Sequence, residues 1–252
     1  MNASARWVPG ALVLSAAAAM LLHGPIGQPE SYHDFADRRP LLGLPNAADV
    51  LSNVGFALAG LWGFRVLRTS ESRARLRRAA PGYLLFVAAL LLTALGSAWY
   101  HLAPDNGTLL WDRLPIALAC AGLLGGARAQ TVAPNQSAMA TYVLAIAAVA
   151  SVLWWSMTEA RGAGDLRPYL LVQGAPLVLI PIWQAIARAP RAERIAFGVA
   201  ILLYLAAKAA ELADRQVLEM TGSLSGHTLK HLLAGAASLV LVANIARIVR
   251  AR

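Results

Sequence analysis

Two histidines near the C-terminal end of the chain have a spacing suited to metal binding. His227 and His231, in the segment SGHTLKHLLAG, are four residues apart. In a helix this spacing places both imidazoles on one face, with Cβ atoms about 5–6 Å apart, where they can share one ion. Paired histidines also occur by chance at the start of amphipathic helices, so the pair alone is a weak signal.

A second segment, GSAWYHLAP, repeats the four-residue spacing with Ser97 and His101. Here a hydroxyl lies one helical turn from an imidazole on the same face. Asp112 follows after the turn PDNG, and the antiparallel return that this turn implies brings its carboxylate back beside His101. Each residue also has a structural interpretation: a hydrogen bond between helices for Ser97 and His101, and a helix cap or first-turn acid for Asp112.

Taken together, these histidines, the aspartate and the serine predict metal-assisted hydrolysis. Three neutral imidazoles leave a fourth tetrahedral position for water, which is typical of a catalytic zinc site. A carboxylate beside that water can act as general base and then as general acid toward a leaving amine, while a serine hydroxyl donates to the developing oxyanion. The single cysteine, Cys120, excludes an internal disulfide and a cysteine-based zinc site.

The composition indicates which elements position these residues. Of 252 residues, 58% are hydrophobic and 14% are charged, with a mean hydropathy of +0.55. Soluble domains carry far more charge, so we predict one integral membrane domain over residues 1–252, an all-α bundle of transmembrane helices. Spans need about 20 apolar residues, and we expect them at 8–23, 48–67, 81–102, 109–129, 138–157, 168–187, 194–213 and 227–248. For the first segment, a cleaved signal peptide is the alternative.

The net charge of +9 is explained by membrane topology. Assigning alternate loops to opposite sides places 14 of the 22 Lys and Arg residues on one side, with only Glu71 and Glu193 among the acids. The positive-inside rule makes that side cytoplasmic and places both termini there. These cations are Arg6, Arg65, Arg68, Arg73, Arg75, Arg77, Arg78, Arg128, Arg188, Arg191, Arg194, Arg247, Arg250 and Arg252.

Polar residues within or next to the predicted spans gather at one depth, toward the opposite, extracytoplasmic side. They are Asn46, Asp49, Ser52, Asn53, Ser97, His101, Asp112, Lys208, Glu211, Asp214, His227 and His231. Such groups are costly in a membrane and usually functional. We expect Ser52 and Asn53 to form hydrogen bonds between helices, and Lys208 to pair with Glu211 one turn away.

Two other polar residues near this depth have less specific interpretations. Arg113 follows Asp112 and points about 100° away around the helix, so we expect it to meet lipid phosphate or a loop carboxylate. His33 lies in the outer loop, where we expect it to be solvated. Neither residue is assigned to the hydrolytic site.

The segment GSAWYHLAPDNGTLLWDRLP, joined to the later GHTLKH, resembles the alkaline ceramidase family. That family belongs to a superfamily of seven-helix membrane hydrolases and related receptors that includes the adiponectin receptors. The resemblance covers residues 31–250 and implies a seven-helix core, with residues 8–23 as an added N-terminal transmembrane helix. It further implies zinc on His101, His227 and His231, catalytic roles for Ser97 and Asp112, and hydrolysis of ceramide or a similar N-acyl lipid to a long-chain amine and a fatty acid.

The same resemblance raises calcium as a second cofactor, because eukaryotic ceramidases bind it in an acidic segment before the first core helix. The matching stretch here is SYHDFADRRPLLGLPNAADVLSN, in which Asn46 stands at the position of a family glutamate. Asp34, Asp37, Asn46 and Asp49 are the oxygen donors that a hard cation would use. A solvated loop with an Asx-capped helix explains them equally well.

The sequence leaves three functions to compare. A lipid amide hydrolase uses the three histidines together with Ser97 and Asp112, with the bilayer and a ceramide-like lipid as partners. A receptor-like protein of the same superfamily would keep the zinc site for structure, and facing histidines could instead ligate haem. The sequence contains no nucleic-acid motif, and its Arg- and Ala-rich composition indicates a bacterial inner membrane.

Overall fold

The computed structural model describes residues 7–251, so Arg6 and Arg252 of the charge pattern lie outside it. Within this range the chain is helical, and its one β-type pairing joins Leu41 and Leu44. The predicted all-α class is confirmed. The helices are α1 (Val8–His23), α2 (Ala47–Ser52), α3 (Val54–Leu67), α4 (Ser70–Leu76), α5 (Ala80–Leu102), α6 (Asn106–Gln130), α7 (Met139–Glu159), α8 (Arg167–Ile186), α9 (Arg191–Leu212), α10 (Asp214–Thr221) and α11 (Gly226–Ala251).

Seven helical stretches of the described chain are long and apolar enough to cross a membrane. Each overlaps one of the segments predicted from hydropathy after the first. This is the architecture of a multi-pass membrane protein. The stretches are Ala47–Leu67, Ser70–Leu102, Asn106–Gln130, Met139–Glu159, Arg167–Ile186, Arg191–Leu212 and Gly226–Ala251.

The first predicted segment forms α1, with the predicted bounds of 8–23. Its 16 residues reach about 24 Å at 1.5 Å per residue, which is less than a bilayer core of about 30 Å. The helix buries none of its residues and contacts α8, where Arg167 Nη1 donates to the carbonyl oxygen of Met20 (3.2 Å). It is therefore an addition to the outside of the seven-helix bundle.

The predicted span 48–67 is interrupted near its start. Asn53 separates α2 from α3, and its Nδ2 donates to the carbonyl oxygen of Asp49 (2.8 Å). We expected this amide to bond between helices, and that is wrong because the amide turns back on its own helix. Because of the break, α2 is a separate short helix from α3, and it packs beside α11.

Helices α5 and α6 pack closely, because glycines remove the side chains between them. A Cβ at Gly96 would collide with the carbonyl oxygen of Trp111, and one at Gly82 would collide with the backbone of Gly126. Small residues allow such close backbone contact in membrane bundles. The contact at Gly96 brings the neighbouring Ser97 against Asp112.

Gly96→Ala is expected to lower the free energy of unfolding by about 1–3 kcal/mol, because the new methyl group overpacks a backbone contact. Gly174→Ala in α8 is the matched control, since beyond its own helix backbone no atom lies within 4 Å of its Cβ position. Thermal unfolding of both variants in detergent measures the difference. Equal melting temperatures would contradict the close α5–α6 contact.

Candidate metal centre and cavity

Three histidine side chains meet between two helices of the bundle. His101 lies in the last turn of α5, and His227 and His231 lie in the first two turns of α11. Their ligand nitrogens all lie within 4.8 Å of one another. The residues are 0%, 6% and 3% exposed, respectively. We call these three residues the histidine cluster; within residues 7–251 it is the one group of three or more His, Cys, Asp or Glu that could hold a metal ion.

The distance between two ring nitrogens of the histidine cluster fits a shared zinc ion. Tetrahedral Zn–N bonds of about 2.0–2.1 Å place two ligand nitrogens about 3.3 Å apart. Nε2 of His101 and Nε2 of His227 are 3.3 Å apart. The donor set is three imidazoles without a thiolate, which leaves a fourth ligand position open, as in catalytic zinc sites.

The ring of His231 is oriented by α2. The Ser52 hydroxyl donates to the carbonyl oxygen of Asp49 (2.9 Å), so the Ser52 oxygen is left to accept the Nδ1–H of His231 (2.8 Å). A proton on Nδ1 leaves Nε2 as the ligand atom, which is the usual role of such outer partners in metal sites. The prediction that Ser52 bonds between helices is confirmed.

Ser52→Ala is expected to weaken zinc binding about 10–100-fold, the usual cost of losing a partner that orients a ligand. Competition with a chelator of known affinity measures the change. Ser151→Ala is the matched control, because the Ser151 hydroxyl also donates to a backbone carbonyl, that of Ala148 (2.7 Å), far from any histidine ligand in the sequence. Equal zinc affinity of the two variants would contradict the orienting role of Ser52.

A cavity of about 290 Å³ adjoins the histidine cluster. Ser97 and Asp112 both line it, together with His231, and the Ser97 side chain interacts with the Asp112 carboxylate. Both residues are buried, at 2% and 8% exposure. Much of the remaining wall is apolar and includes Phe86, Leu90, Leu123, Leu177, Ile201 and Leu241. The cavity thus joins a polar end to an apolar interior.

A group of charged residues lines the same cavity. Glu211 pairs with Lys208 in its own helix, as predicted, and accepts a hydrogen bond from Lys230 Nζ (2.9 Å). Lys230 was not predicted to be part of the site. The signal was available, because Lys230 lies three residues after His227 and therefore near the same helix face.

Arg113 is not directed toward lipid phosphate or a loop carboxylate, so that expectation is wrong. It is 3% exposed and lines the cavity. Its guanidinium carbon lies 4.0 Å from the ring centroid of Trp155, 4.8 Å from that of Tyr32 and 5.5 Å from that of Tyr169. The rings come from α7, α8 and the outer loop, and they turn the side chain inward.

The loop between α1 and α2 covers the histidine cluster. The Phe35 ring lies 4.4 Å from the ring of His227 and 4.8 Å from that of His101, measured between centroids. Asp214 ties this loop to α11, because its carboxylate accepts from the backbone N–H of Ala36 (2.9 Å) and of His227 (2.7 Å). The cover keeps the cluster out of contact with bulk water.

His33 belongs to the same covering loop. Its Nδ1 lies 2.9 Å from the hydroxyl of Tyr100, and its Nε2 lies 2.9 Å from Oδ1 of Asn106. The expectation that His33 is solvated therefore holds only in part, because the residue is partly exposed but both ring nitrogens have partners. The residue joins the loop to α5 and α6 and is not part of the histidine cluster.

Two of the residues proposed for calcium, Asp34 and Asp37, form salt bridges with arginines. Asp34 pairs with Arg38 (2.6 Å), and Asp37 pairs with Arg39 (2.7 Å). The Arg39 guanidinium lowers the pKa of Asp37 from its usual value. A calcium ion at either carboxylate would have to compete with a guanidinium already in place.

The other two residues proposed for calcium have structural partners as well. Asn46 Nδ2 donates to the carbonyl oxygen of His101 (2.7 Å), and the Asp49 carboxylate accepts from the Thr228 hydroxyl (2.6 Å). The carboxylates of Asp34, Asp37 and Asp49 do not form a ligand group among the described residues. The prediction of a calcium site is not supported, because these four residues are bonded to other groups in the loop and at the helix ends.

The structure brings together the residues predicted for hydrolysis. The histidine cluster, Ser97 and Asp112 come from α5, α6 and α11 and adjoin one cavity. Comparison of the chain with protein-family models, with curated proteins and with solved structures finds no match.

Proposed function

We propose that the chain is a zinc-dependent intramembrane hydrolase that cleaves the amide bond of an N-acyl lipid, as its resemblance to alkaline ceramidases implies. One observation carries the proposal: the buried histidine cluster stands beside a carboxylate and a hydroxyl that line one largely apolar cavity. A purely structural metal site has no use for an adjoining cavity with a buried acid. Closed structural zinc sites also tend to use a fourth protein ligand.

The ligand positions assign the metal-binding roles. His101, His227 and His231 would hold zinc through their ring nitrogens, with the His231 ring oriented by Ser52. When bound, the ion supplies Lewis-acid activation of water and of the amide carbonyl group. The loop that carries Phe35 excludes bulk water from this end of the cavity.

The carboxylate and the hydroxyl supply the proton transfers and the oxyanion contact. Asp112 would take a proton from the attacking water and deliver it to the amide nitrogen as the C–N bond breaks. Ser97 would donate to the carbonyl oxygen as negative charge develops there. The products are a fatty acid and an amine.

The cavity supports a lipid as the substrate. Its apolar wall runs between membrane-spanning helices, where it would hold an acyl chain away from water. The polar residues lie at the end where α5 finishes and α11 begins. An N-acyl lipid would place its amide at this polar end and its chain among residues such as Leu90, Leu123 and Leu241.

We place this polar end toward the extracytoplasmic side of a bacterial inner membrane, with both termini in the cytoplasm. The Arg-rich loops support this orientation by the positive-inside rule. The short helix α4, which carries Arg73 and Arg75, follows α3 at the end of the bundle away from the histidine cluster. Labelling of single cysteines, introduced near either end of the bundle into a Cys120→Ala variant, tests this orientation in intact cells.

Incubation of the purified full-length protein with short-chain ceramide and with N-acylethanolamines tests the proposed reaction. Mass spectrometry is expected to detect the free fatty acid and the amine in equal amounts. Release of neither product by zinc-loaded protein would contradict the proposal. Release of fatty acid without the amine would indicate an ester substrate instead.

A further inference from the structure

The cavity contains a cationic group that the proposed reaction does not use. Arg113 is 3% exposed, and its Nε and Nη1 atoms are buried without a hydrogen-bond partner. A buried guanidinium is costly unless its donors are satisfied. The aromatic rings of Trp155, Tyr32 and Tyr169 offset part of this cost through their faces, but they accept no conventional hydrogen bonds there.

We infer that Arg113 binds a carboxylate of the ligand, so that the substrate is an acidic N-acyl lipid, of which N-acyl amino acids are the simplest members. A planar guanidinium matches a carboxylate with two parallel hydrogen bonds. The surrounding rings hold the guanidinium in place and keep water away from it. The identity of the scissile amide rests on the proposed function, whereas the carboxylate site does not.

The charge balance of the cavity supports an anionic ligand. Its lining includes the cations Arg113, Lys208 and Lys230 but only two carboxylates, those of Asp112 and Glu211. Glu211 is shared by both lysines. One cationic charge is therefore left over before any metal ion is added, and one carboxylate on the ligand would balance it.

The position of Arg113 indicates which part of the lipid carries the carboxylate. Arg113 adjoins Asp112 in the chain, and both side chains line the cavity. In an N-acyl α-amino acid a single carbon separates the amide nitrogen from the carboxylate, so the two groups fit neighbouring side chains. The carboxylate of a fatty acid product would instead form at the histidine cluster, where the amide carbonyl group is held.

A matched pair of ligands tests the inference. N-lauroylglycine and N-lauroylethanolamine share the amide and the acyl chain and differ in a carboxylate against a hydroxymethyl group. Rapid mixing with the purified full-length protein, followed by tryptophan fluorescence, reads binding before turnover, because Trp155 stacks on Arg113. We expect the glycine conjugate to bind about 10–100-fold more tightly, as charge-assisted hydrogen bonds imply.

Substitution of Arg113 is expected to remove this preference. In Arg113→Met the ratio of the two dissociation constants should fall to near one, and in Arg113→Lys it should fall partway, since the charge remains but the two-pronged geometry is lost. Arg128→Met is the matched control at the other end of α6, where the guanidinium bonds Gln136, and it should keep the wild-type ratio.

Several outcomes would overturn the inference. Equal binding of the two amides by the wild-type protein does so without any variant, and so does an unchanged ratio in folded Arg113→Met. Lauric acid binding that depends on Arg113, when N-lauroylglycine binding does not, would assign the guanidinium to the fatty acid product.

Different results would contradict the hydrolase and the carboxylate site at Arg113. Binding of N-lauroylglycine through Arg113 without cleavage of either amide would support the carboxylate site and contradict the hydrolase. Cleavage of both amides with equal affinity would support the hydrolase and contradict the carboxylate site.

Discussion

Asp112→Asn is expected to lower the rate of fatty acid release about 10²–10⁴-fold, the usual contribution of a positioned general acid or base. The amide keeps the shape of the side chain but can neither take a proton from water nor deliver one to the leaving nitrogen. Zinc content should stay at the wild-type level, because Asp112 is not one of the three ligands of the histidine cluster. Rates and metal content measured on the same preparation separate these effects.

Asp105→Asn is the control for this substitution. Asp105 caps the same helix, with its carboxylate accepting from the Thr108 N–H (2.7 Å), and asparagine caps helices about as well as aspartate. Its activity should match that of the wild-type protein. A comparable loss in both variants, or a nearly normal rate in Asp112→Asn, would exclude Asp112 as the proton carrier.

His101→Ala is expected to give the largest change in metal binding. His101 contributes one of three ligands from a different helix than the other two, so its loss leaves only the His227 and His231 pair on α11. Loss of an outer partner that only orients a ligand weakens metal binding by up to about 100-fold. Loss of a ligand itself should lower zinc affinity by more than that. Elemental analysis after dialysis measures the remaining zinc.

His33→Ala provides the matched control for that experiment. It removes an imidazole that bonds Tyr100, the neighbour of His101, without removing a ligand. The control should keep its zinc. If His101→Ala retains zinc as well as His33→Ala does, the three histidines do not share an ion and the site must be reassigned.

Much of the fold follows from the sequence because burial in a bilayer is a strong constraint. Apolar segments of sufficient length predict helices, since only helices and closed barrels satisfy the backbone within lipid. The bounds of α8 and α11 therefore match those of the apolar segments closely. The break at Asn53 and the short helices α4 and α10 escape this reasoning, because they depend on local hydrogen bonds and loop packing.

The site was predictable where residues lie on the same or adjacent helices. The four-residue spacing of His227 and His231 and the short return from His101 to Asp112 are local features, so their convergence follows from helix geometry. The orientation of Arg113 is different, because it depends on Trp155, which lies distant in the chain. A helical wheel gives the direction of a side chain but not the ring that will face it.

Fatty acid release before and after removal of metal tests the account most directly. Purified protein should release fatty acid from an N-acyl lipid, lose this activity when zinc is removed by a chelator, and regain it when zinc is added back. N-lauroylglycine and short-chain ceramide should both be tried, so that a preference for acidic lipids does not hide the reaction. Unchanged hydrolysis by zinc-free protein, or no hydrolysis of any of these amides by zinc-loaded protein, would contradict a zinc-dependent amide hydrolase.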